Sequence, residues 1–207
     1  MMDDYRKIAG MASIFNGLSK EEQECLLEDG RINFLNKKEF LFHHGDPLQN
    51  FYVICLGTIQ IYRNNIDGQR KTFDILTTQD IICDNKIFDS NSNYQYNAVA
   101  ISDATVLEFS KTWLKENAKK YGEFALNLLA ITSNNTQMAE VEVEHKATMS
   151  AAQIIACFLQ RICKIYNFNP QSFELPYNKK LIASRLGIEF ETFSPQLTKI
   201  KRLRNQR

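Results

Sequence analysis

The chain has 207 residues, of which 44% are hydrophobic and 24% charged, an ordinary globular composition that argues against disordered and fibrous classes. No apolar run approaches the roughly 18 residues of a membrane-spanning helix, the acidic start is unlike a signal peptide, and five cysteines without a C-x-x-C motif fit a reducing cytoplasm better than a disulfide scaffold or zinc ribbon. The net charge of +1 is the sum of two unlike regions. Residues 176–207 carry eight basic and two acidic side chains, for +6, and the preceding 175 residues carry −5. Such asymmetry is typical of a polyanion-binding end or of a solvated basic tail.

The first 30 residues predict helices, and the next 80 predict strands. Ser19 and Glu22 have the spacing of a helix capping box. After residue 30, short runs alternate polar and apolar residues and are separated by turn signals such as Asp67-Gly68. The predicted strands are Phe51–Ile54, Thr58–Tyr62, Thr72–Leu76, Ala98–Ile101 and Val106–Phe109. Repeated short strands at this spacing predict an antiparallel barrel or jelly roll.

A short helix is predicted over Lys111–Lys119, followed by a long helix from Tyr121 to about Lys146. Seven residues of the long helix recur at alternating spacings of four and three: Phe124, Leu128, Ile131, Asn135, Met138, Glu142 and His145. This heptad seam is typical either of a helix packed on its own domain or of a dimer, in which a buried Asn135 would fix the register. We predict that a dimer interface is formed by Phe124, Leu128, Ile131, Asn135 and Met138.

Another helix is predicted over about Met149–Tyr166. Asn167-Phe168-Asn169-Pro170 ends it and is followed by a short extended stretch at 173–176. Two short helices then follow, one over about Asn178–Leu186 and one from Glu189 or Phe190 toward Leu203. The tight turn at Gly187 between them predicts a helix-turn-helix.

These elements predict an α+β chain made of three parts. The predicted parts are a β-roll sensor domain with flanking helices at 1–120, a dimerisation helix at 121–147 and a helix-turn-helix domain at 148–207.

The order of these elements resembles the cyclic-AMP receptor protein/FNR (Crp/Fnr) family of bacterial transcription regulators. The resemblance covers about residues 13–203. Two stretches carry it: Phe42-His43-His44-Gly45-Asp46 with Phe51-Tyr52-Val53-Ile54-Cys55-Leu56-Gly57-Thr58-Ile59, and Leu181-Ile182-Ala183-Ser184-Arg185-Leu186-Gly187-Ile188-Glu189-Phe190-Glu191-Thr192-Phe193-Ser194. The overall pattern, including Glu191-Thr192-Phe193-Ser194, is most similar to the haem-dependent nitric-oxide-sensing (dissimilatory nitrate respiration) branch.

The resemblance implies an effector in the roll, and the sequence departs from the family's usual phosphate-binding residues. Cys83 stands where the family has a glycine, Asp84 stands at its glutamate, and no arginine lies between Arg70 and Arg161. A buried cyclic phosphate needs a cation to offset its lost solvation, so the usual cyclic-AMP binding is not expected. The predicted effector pocket is Ile82, Cys83, Asp84, Tyr94 and Tyr96.

The cofactor is otherwise left open by the sequence. An iron–sulfur cluster of the oxygen-sensing kind needs an N-terminal cysteine group, and Cys25 alone precedes Cys55. Haem is possible, because it needs an axial ligand such as histidine or cysteine; the histidines are His43, His44 and His145. An apolar roll without any ligand is a further alternative.

By resemblance, the second helix of the pair enters the major groove of DNA. The predicted DNA-binding residues are Lys179, Lys180, Glu189, Phe190, Glu191, Thr192, Ser194, Lys199, Lys201 and Arg202. Phe190 and Pro195 occupy positions where the family has arginines, which read guanine, so the target is expected to differ from that of the cyclic-AMP receptor. Pro195 also predicts a kink or a late start of this helix. The family's β-hairpin wing is expected to be truncated or absent.

We therefore expect a homodimeric transcription regulator in which an unknown small-molecule effector in the roll controls binding to double-stranded promoter DNA, with RNA polymerase as a possible further partner and no membrane. The alternative is a degenerate sensor or interaction module that dimerises and no longer binds DNA. An enzyme on a cupin-like roll is a poor third, because metal cupins need histidine and glutamate ligands spread over several strands. No catalytic or metal-binding residue is predicted.

Overall fold

The computed structural model describes residues 2–165, 175 and 177–204, with the side chains of 164, 165 and 201–204 left out. The helices are α1 (Met2–Ala9), α2 (Lys20–Glu28), α3 (Lys111–Lys120), α4 (Gly122–Thr148), α5 (Ala151–Ile165), α6 (Lys179–Leu186) and α7 (Phe190–Arg204). The strands are β1 (Arg31–Leu35), β2 (Phe40–Phe42), β3 (Asn50–Leu56), β4 (Thr58–Asn64), β5 (Arg70–Thr77), β6 (Ile81–Ile82), β7 (Asn97–Ala100) and β8 (Ala104–Ser110). The predicted α+β fold is confirmed. The predicted chain break at 167–170 and most of the extended stretch at 173–176 lie outside the described residues.

The strands form two four-stranded sheets, ordered β1-β8-β3-β6 and β2-β7-β4-β5. The registered pairs are antiparallel, as the predicted roll requires. Gly57 makes the tight turn between β3 and β4 with a φ of +87°. A Cβ at this position would lie 2.3 Å from the carbonyl oxygen of Asp103, so only glycine fits both the backbone conformation and the space.

The chain folds as two compact units, and the boundary crosses α4. The first unit comprises residues 1–63 and 73–136, and the second comprises residues 64–72 and 137–207. The tip of the β4–β5 hairpin therefore belongs to the second unit. Within the described residues, no helix is long and apolar enough to cross a membrane.

Aromatic side chains dominate one end of the first unit's core. Phe15, Phe51, Phe109 and Phe124 are almost fully buried, and the Phe51 and Phe109 rings stack with centroids 5.1 Å apart. The Trp113 ring meets that of Phe124 edge-on at 5.6 Å. The predicted capping box of α2 is present, because Ser19 and Glu22 exchange hydrogen bonds between side chain and backbone.

The first half of the predicted dimer seam on α4 is used within the chain itself. Phe124 is 0% exposed and Leu128 is 4% exposed, and both belong to the core of the roll, with Ile131 packed against it. Asn127 strengthens this attachment by donating its side-chain amide to the carbonyl oxygens of Ile14 and Asn16. The prediction that Phe124 and Leu128 contact a partner subunit is therefore wrong, because their apolar surface is already buried against the roll.

Candidate nucleic-acid interface and effector region

A short turn closed by glycine separates α6 from α7. Asn178 caps the start of α6, where its side chain accepts a hydrogen bond from the backbone N–H of Leu181 at 2.8 Å. Gly187 ends the helix in the left-handed conformation with a φ of +66°. The N–H groups of Gly187 and Ile188 then donate to carbonyl oxygens of the last turn, as in a Schellman-type C-cap. The predicted pair of helices and its glycine turn are confirmed.

One side of α7 is buried and the other side is exposed. Phe193 and Leu197 are almost fully buried in the core of the second unit, which also contains Ile155, Phe158, Ile162 and Ile182. Among residues 190–200, whose side chains are described, the exposed ones are Glu191, Thr192, Pro195, Thr198 and Lys199. A helix whose other side is held by this core presents these five side chains to solvent, the arrangement that major-groove reading requires.

The predicted DNA-binding residues differ in how exposed their side chains are. Lys179, Lys180, Glu189, Glu191, Thr192 and Lys199 are exposed. Phe190 is half-buried: its ring packs against the second unit's core and has the Lys180 ammonium 5.8 Å from its centroid, and its contact with DNA stays a prediction. Ser194 is half-buried, and the side chains of Lys201 and Arg202 lie outside those described.

Thr198 is a surface residue that the sequence reasoning missed, whereas Pro195 was noted there for the arginine it replaces and for its effect on the helix. Helical spacing from Glu191 would have found both, since residues four and seven positions further along lie on the same side of a helix. The helix begins at Phe190 and continues through Pro195, so the predicted late start is wrong. Pro195 lies beyond the first turn and has no N–H to donate to the Glu191 carbonyl.

Two neighbouring residues of α6 fix this helix to other parts of the second unit. The Ser184 hydroxyl accepts from the Thr72 N–H at 3.1 Å and lies 2.8 Å from the Thr72 hydroxyl, and it also contacts the Arg70 carbonyl oxygen at 3.1 Å. The next residue, Arg185, pairs with Glu142 of α4 at 2.5 Å. The first helix of the pair is thereby held both by the β4–β5 hairpin tip and by the end of the long helix.

The carboxyl of Glu142 is stabilised in its ionised form. Burial raises the pKa of Glu142, but the hydrogen bond and charge of Arg185, with the charges of Lys146 and Arg161, outweigh burial and hold that pKa below its usual value. The pair therefore stabilises the native state only while the carboxylate stays ionised.

This ion pair predicts a pH dependence of stability. Because the pKa of Glu142 is lower in the folded state, its contribution is present above the ordinary glutamate pKa of about 4.3 and is lost as the pH falls through the folded-state pKa. In thermal unfolding from about pH 6 to about pH 3, the midpoint of the wild-type protein should fall more steeply than that of Glu142→Gln. The exposed Glu144, replaced by glutamine, is the matched control. Parallel curves for wild type and Glu142→Gln would contradict the prediction.

An apolar stripe lies on the solvent side of α4. Leu126, Leu129 and Val143 are 60%, 65% and 70% exposed. The first two lie opposite Phe124 and Leu128, which face the roll. Asn135 and Met138, from the predicted seam, are also exposed, and their place in a dimer interface stays a prediction.

The region predicted to bind an effector is closely packed by its own side chains. Tyr94 is 5% exposed, its ring stacks on that of Phe42 at 3.7 Å, and its hydroxyl donates to the Asn50 carbonyl oxygen at 2.8 Å. The Asp84 carboxylate accepts from the backbone N–H groups of Lys86 at 2.9 Å and Gln95 at 3.3 Å. Both polar groups therefore already have partners within the chain.

Potential haem ligands in the roll are either exposed or protonated. His43 and His44 lie exposed on the turn after β2, where the His43 ring stacks on Phe40 at 4.2 Å. Burial and the nearby Asp84 charge raise the pKa of Cys83 to about 12, so its free side chain is a protonated thiol at neutral pH. Within the described parts of the chain, no group of three or more His, Cys, Asp and Glu side chains could hold a metal ion.

Comparisons with known proteins agree with this architecture. Residues 32–121 match the family model described as "Cyclic nucleotide-binding domain". The chain is 26% identical to the nitrogen fixation regulation protein FixK of Rhizobium meliloti, over 78% of this chain and 71% of FixK. It is 24% identical to the anaerobic regulatory protein of Pasteurella multocida, over 82% of this chain and 62% of that protein. FixK2 of Bradyrhizobium japonicum shares the fold with a TM-score of 0.73 at 20% identity, over 84% of this chain and 85% of FixK2. These matches support membership of the Crp/Fnr family of regulators.

Proposed function

We propose that this chain is a homodimeric transcription regulator that binds promoter DNA in the cytoplasm through α6 and α7, under the control of an effector bound by the roll. The observation that carries the proposal is the exposed side of α7, which follows a glycine-capped turn and bears Glu191, Thr192 and Lys199. Family membership supports the same role. RNA polymerase is the partner expected of a regulator that activates transcription.

The charges of the second unit suit a DNA partner. Lys179 and Lys180 begin α6 and Lys199 lies on the exposed side of α7, and all three are exposed. Lysine ammonium groups are suited to phosphate oxygens. Each phosphate neutralised releases condensed counterions, so affinity should fall as salt rises.

The exposed stripe on α4 supports a dimer. Leu126, Leu129 and Val143 expose apolar surface to water along several turns of α4. A second copy of the same helix would bury this surface. A two-fold dimer would also present two copies of α7, as helix-turn-helix regulators need for paired half-sites.

Retardation of labelled promoter fragments tests the proposal. The wild-type protein should retard a fragment at low salt, and its affinity should fall steeply with salt. Lys199→Ala should weaken binding and reduce the slope of log affinity against log salt by about 1. Lys119→Ala, which removes an exposed lysine from α3, is the control and should change neither. A folded dimer that retards no fragment at low salt would contradict DNA binding.

One observation favours the second candidate, an interaction module without DNA binding. Pro195 lies in the sixth position of α7, where proline removes a backbone hydrogen bond and costs about 3 kcal/mol in an ordinary helix interior. The same retardation experiment separates the two functions, because the module would dimerise and leave every fragment unshifted.

We further propose that the effector is not a cyclic nucleotide. The Asp84 carboxylate already accepts two backbone hydrogen bonds, Tyr94 is stacked into the core, and no arginine follows Arg70 until Arg161 to offset a buried phosphate. Haem stays a prediction, and the absorption spectrum of the protein with and without added haem tests it through a Soret shift.

Cyclic AMP should therefore leave the protein unchanged. A ligand present at 100 times its dissociation constant stabilises the native state by about 2.7 kcal/mol, so binding would be visible in thermal unfolding. We expect no shift of the unfolding midpoint and no change in DNA affinity at millimolar cyclic AMP. A midpoint that rises with cyclic-AMP concentration would contradict this expectation.

A further inference from the structure

The exposed side of α7 has an unusual chemical composition for a major-groove reader. Between residues 189 and 195 it has no arginine, lysine, asparagine or glutamine, the side chains that usually donate to guanine or pair with adenine. Glu191 offers only acceptor oxygens. Pro195 follows it by about one turn and Thr198 by about two, so the three lie along one side of the helix.

The side chain of Thr198 turns its polar group back to its own helix. Its hydroxyl donates to the carbonyl oxygen of Ser194 at 3.1 Å, which leaves the methyl group as the part available to an outside contact. Pro195, three residues earlier, has an exposed apolar ring. Residues three apart are neighbours on a helix surface, so the ring and the methyl group form one small apolar surface beside Glu191.

Thymine is the base that suits such a surface. In the major groove it alone presents a methyl group, whereas guanine presents two acceptors, N7 and O6. Neither a proline ring nor a methyl group can donate to those acceptors, and covering them without a donor leaves desolvated polar atoms unsatisfied. The nearby Glu191 carboxylate disfavours the same acceptors and suits a cytosine amino group.

We propose that Pro195 and Thr198 select thymine, through its 5-methyl group, at the base next to the one contacted by Glu191. This inference rests on the proposed DNA-binding function and deepens it by naming the base that replaces the guanine expected of an arginine at Pro195. The half-site is then read by an apolar contact at the position where the family has an arginine.

Replacement of thymine by uracil tests the proposal, because uracil pairs identically and lacks only the methyl group. Duplexes retained by the full-length protein are first selected from a random-sequence library. Each thymine of the selected half-site is then replaced in turn by deoxyuridine, and affinities are measured at one fixed salt concentration. One position should lose about fourfold in affinity, as expected for removal of one buried methyl-sized group.

Two variants assign that methyl contact to its residues. Thr198→Ser keeps the hydroxyl that bonds to the Ser194 carbonyl and removes only the methyl group, so the ratio of thymine to uracil affinity should fall toward one. Pro195→Arg should shift the selected base at this position to guanine, with a preference of about tenfold. Lys119→Ala, on α3, should leave the uracil sensitivity unchanged.

The outcomes separate this inference from the proposed function. A protein that retains no duplex overturns both. A protein that binds a selected duplex with equal affinity after every uracil replacement overturns the thymine contact alone. So does an unchanged uracil sensitivity in Thr198→Ser together with an unchanged thymine preference in Pro195→Arg.

Discussion

Replacement of Leu129 by glutamate should convert a dimer into monomers. Leu129 is 65% exposed on the side of α4 that faces away from the roll, so the change leaves the monomer's core intact while it places a charge in the proposed interface. Burying an unpaired carboxylate in the interface costs free energy of association. The apolar contact of Leu129 with the other subunit would also be lost. Light scattering or analytical ultracentrifugation measures the mass directly.

Loss of the dimer should also weaken DNA binding by about 100-fold or more. In a dimer, binding of one α7 to its half-site holds the second α7 at a high effective concentration near the other half-site, and a monomer lacks this effect. Asn135→Glu is the matched control and decides between two seams. It lies on the heptad seam predicted from the sequence, whereas Leu129 lies on the exposed stripe. A monomer from Asn135→Glu and a dimer from Leu129→Glu would contradict the exposed stripe as the interface.

Truncation of Phe193 to alanine should unfold the helix-turn-helix. Phe193 is 0% exposed at the centre of the second unit's core, where removal of a buried phenyl ring costs about 3–5 kcal/mol. That loss is a large share of the 5–15 kcal/mol by which native proteins are usually stable. Calorimetry should show an early transition for the second unit, and DNA retardation should disappear.

Phe190→Ala is the control, because the same change is made three residues earlier at a half-buried ring. We expect it to cost about half as much, and to leave the fold and a measurable retardation in place. If Phe193→Ala unfolded at the wild-type temperature, the core of the second unit would be misassigned.

The Crp/Fnr architecture was predictable because its signals are local. The capping box at Ser19, the turn glycines and the alternating strands each depend on residues close in the chain, and the structure confirms them. Gly187 is a further case, since the left-handed conformation that ends α6 strongly favours glycine. Element types and order therefore follow from the sequence.

The partner of an amphipathic helix was not predictable in the same way. The heptad of α4 correctly indicates an apolar side, but the same spacing serves an intramolecular and an intermolecular contact. Phe124 and Leu128 are buried because the roll, assembled from distant strands, happens to supply the opposing surface. Leu126 and Leu129 are not part of a longer heptad repeat in the sequence. Their exposure is therefore seen only in the three-dimensional structure.

The sequence by itself determined the roll, the long helix, the helix pair and the concentration of positive charge in the last 32 residues, because propensity, periodicity and turn chemistry act over a few residues. The tertiary structure decided which surfaces are left for partners. It buried Phe124 and Leu128 against the roll, packed part of the Phe190 ring against the second unit's core, and committed Asp84 and Tyr94 to internal contacts. Those outcomes depend on packing between segments far apart in the chain, and no local pattern encodes which side of an element that packing will cover.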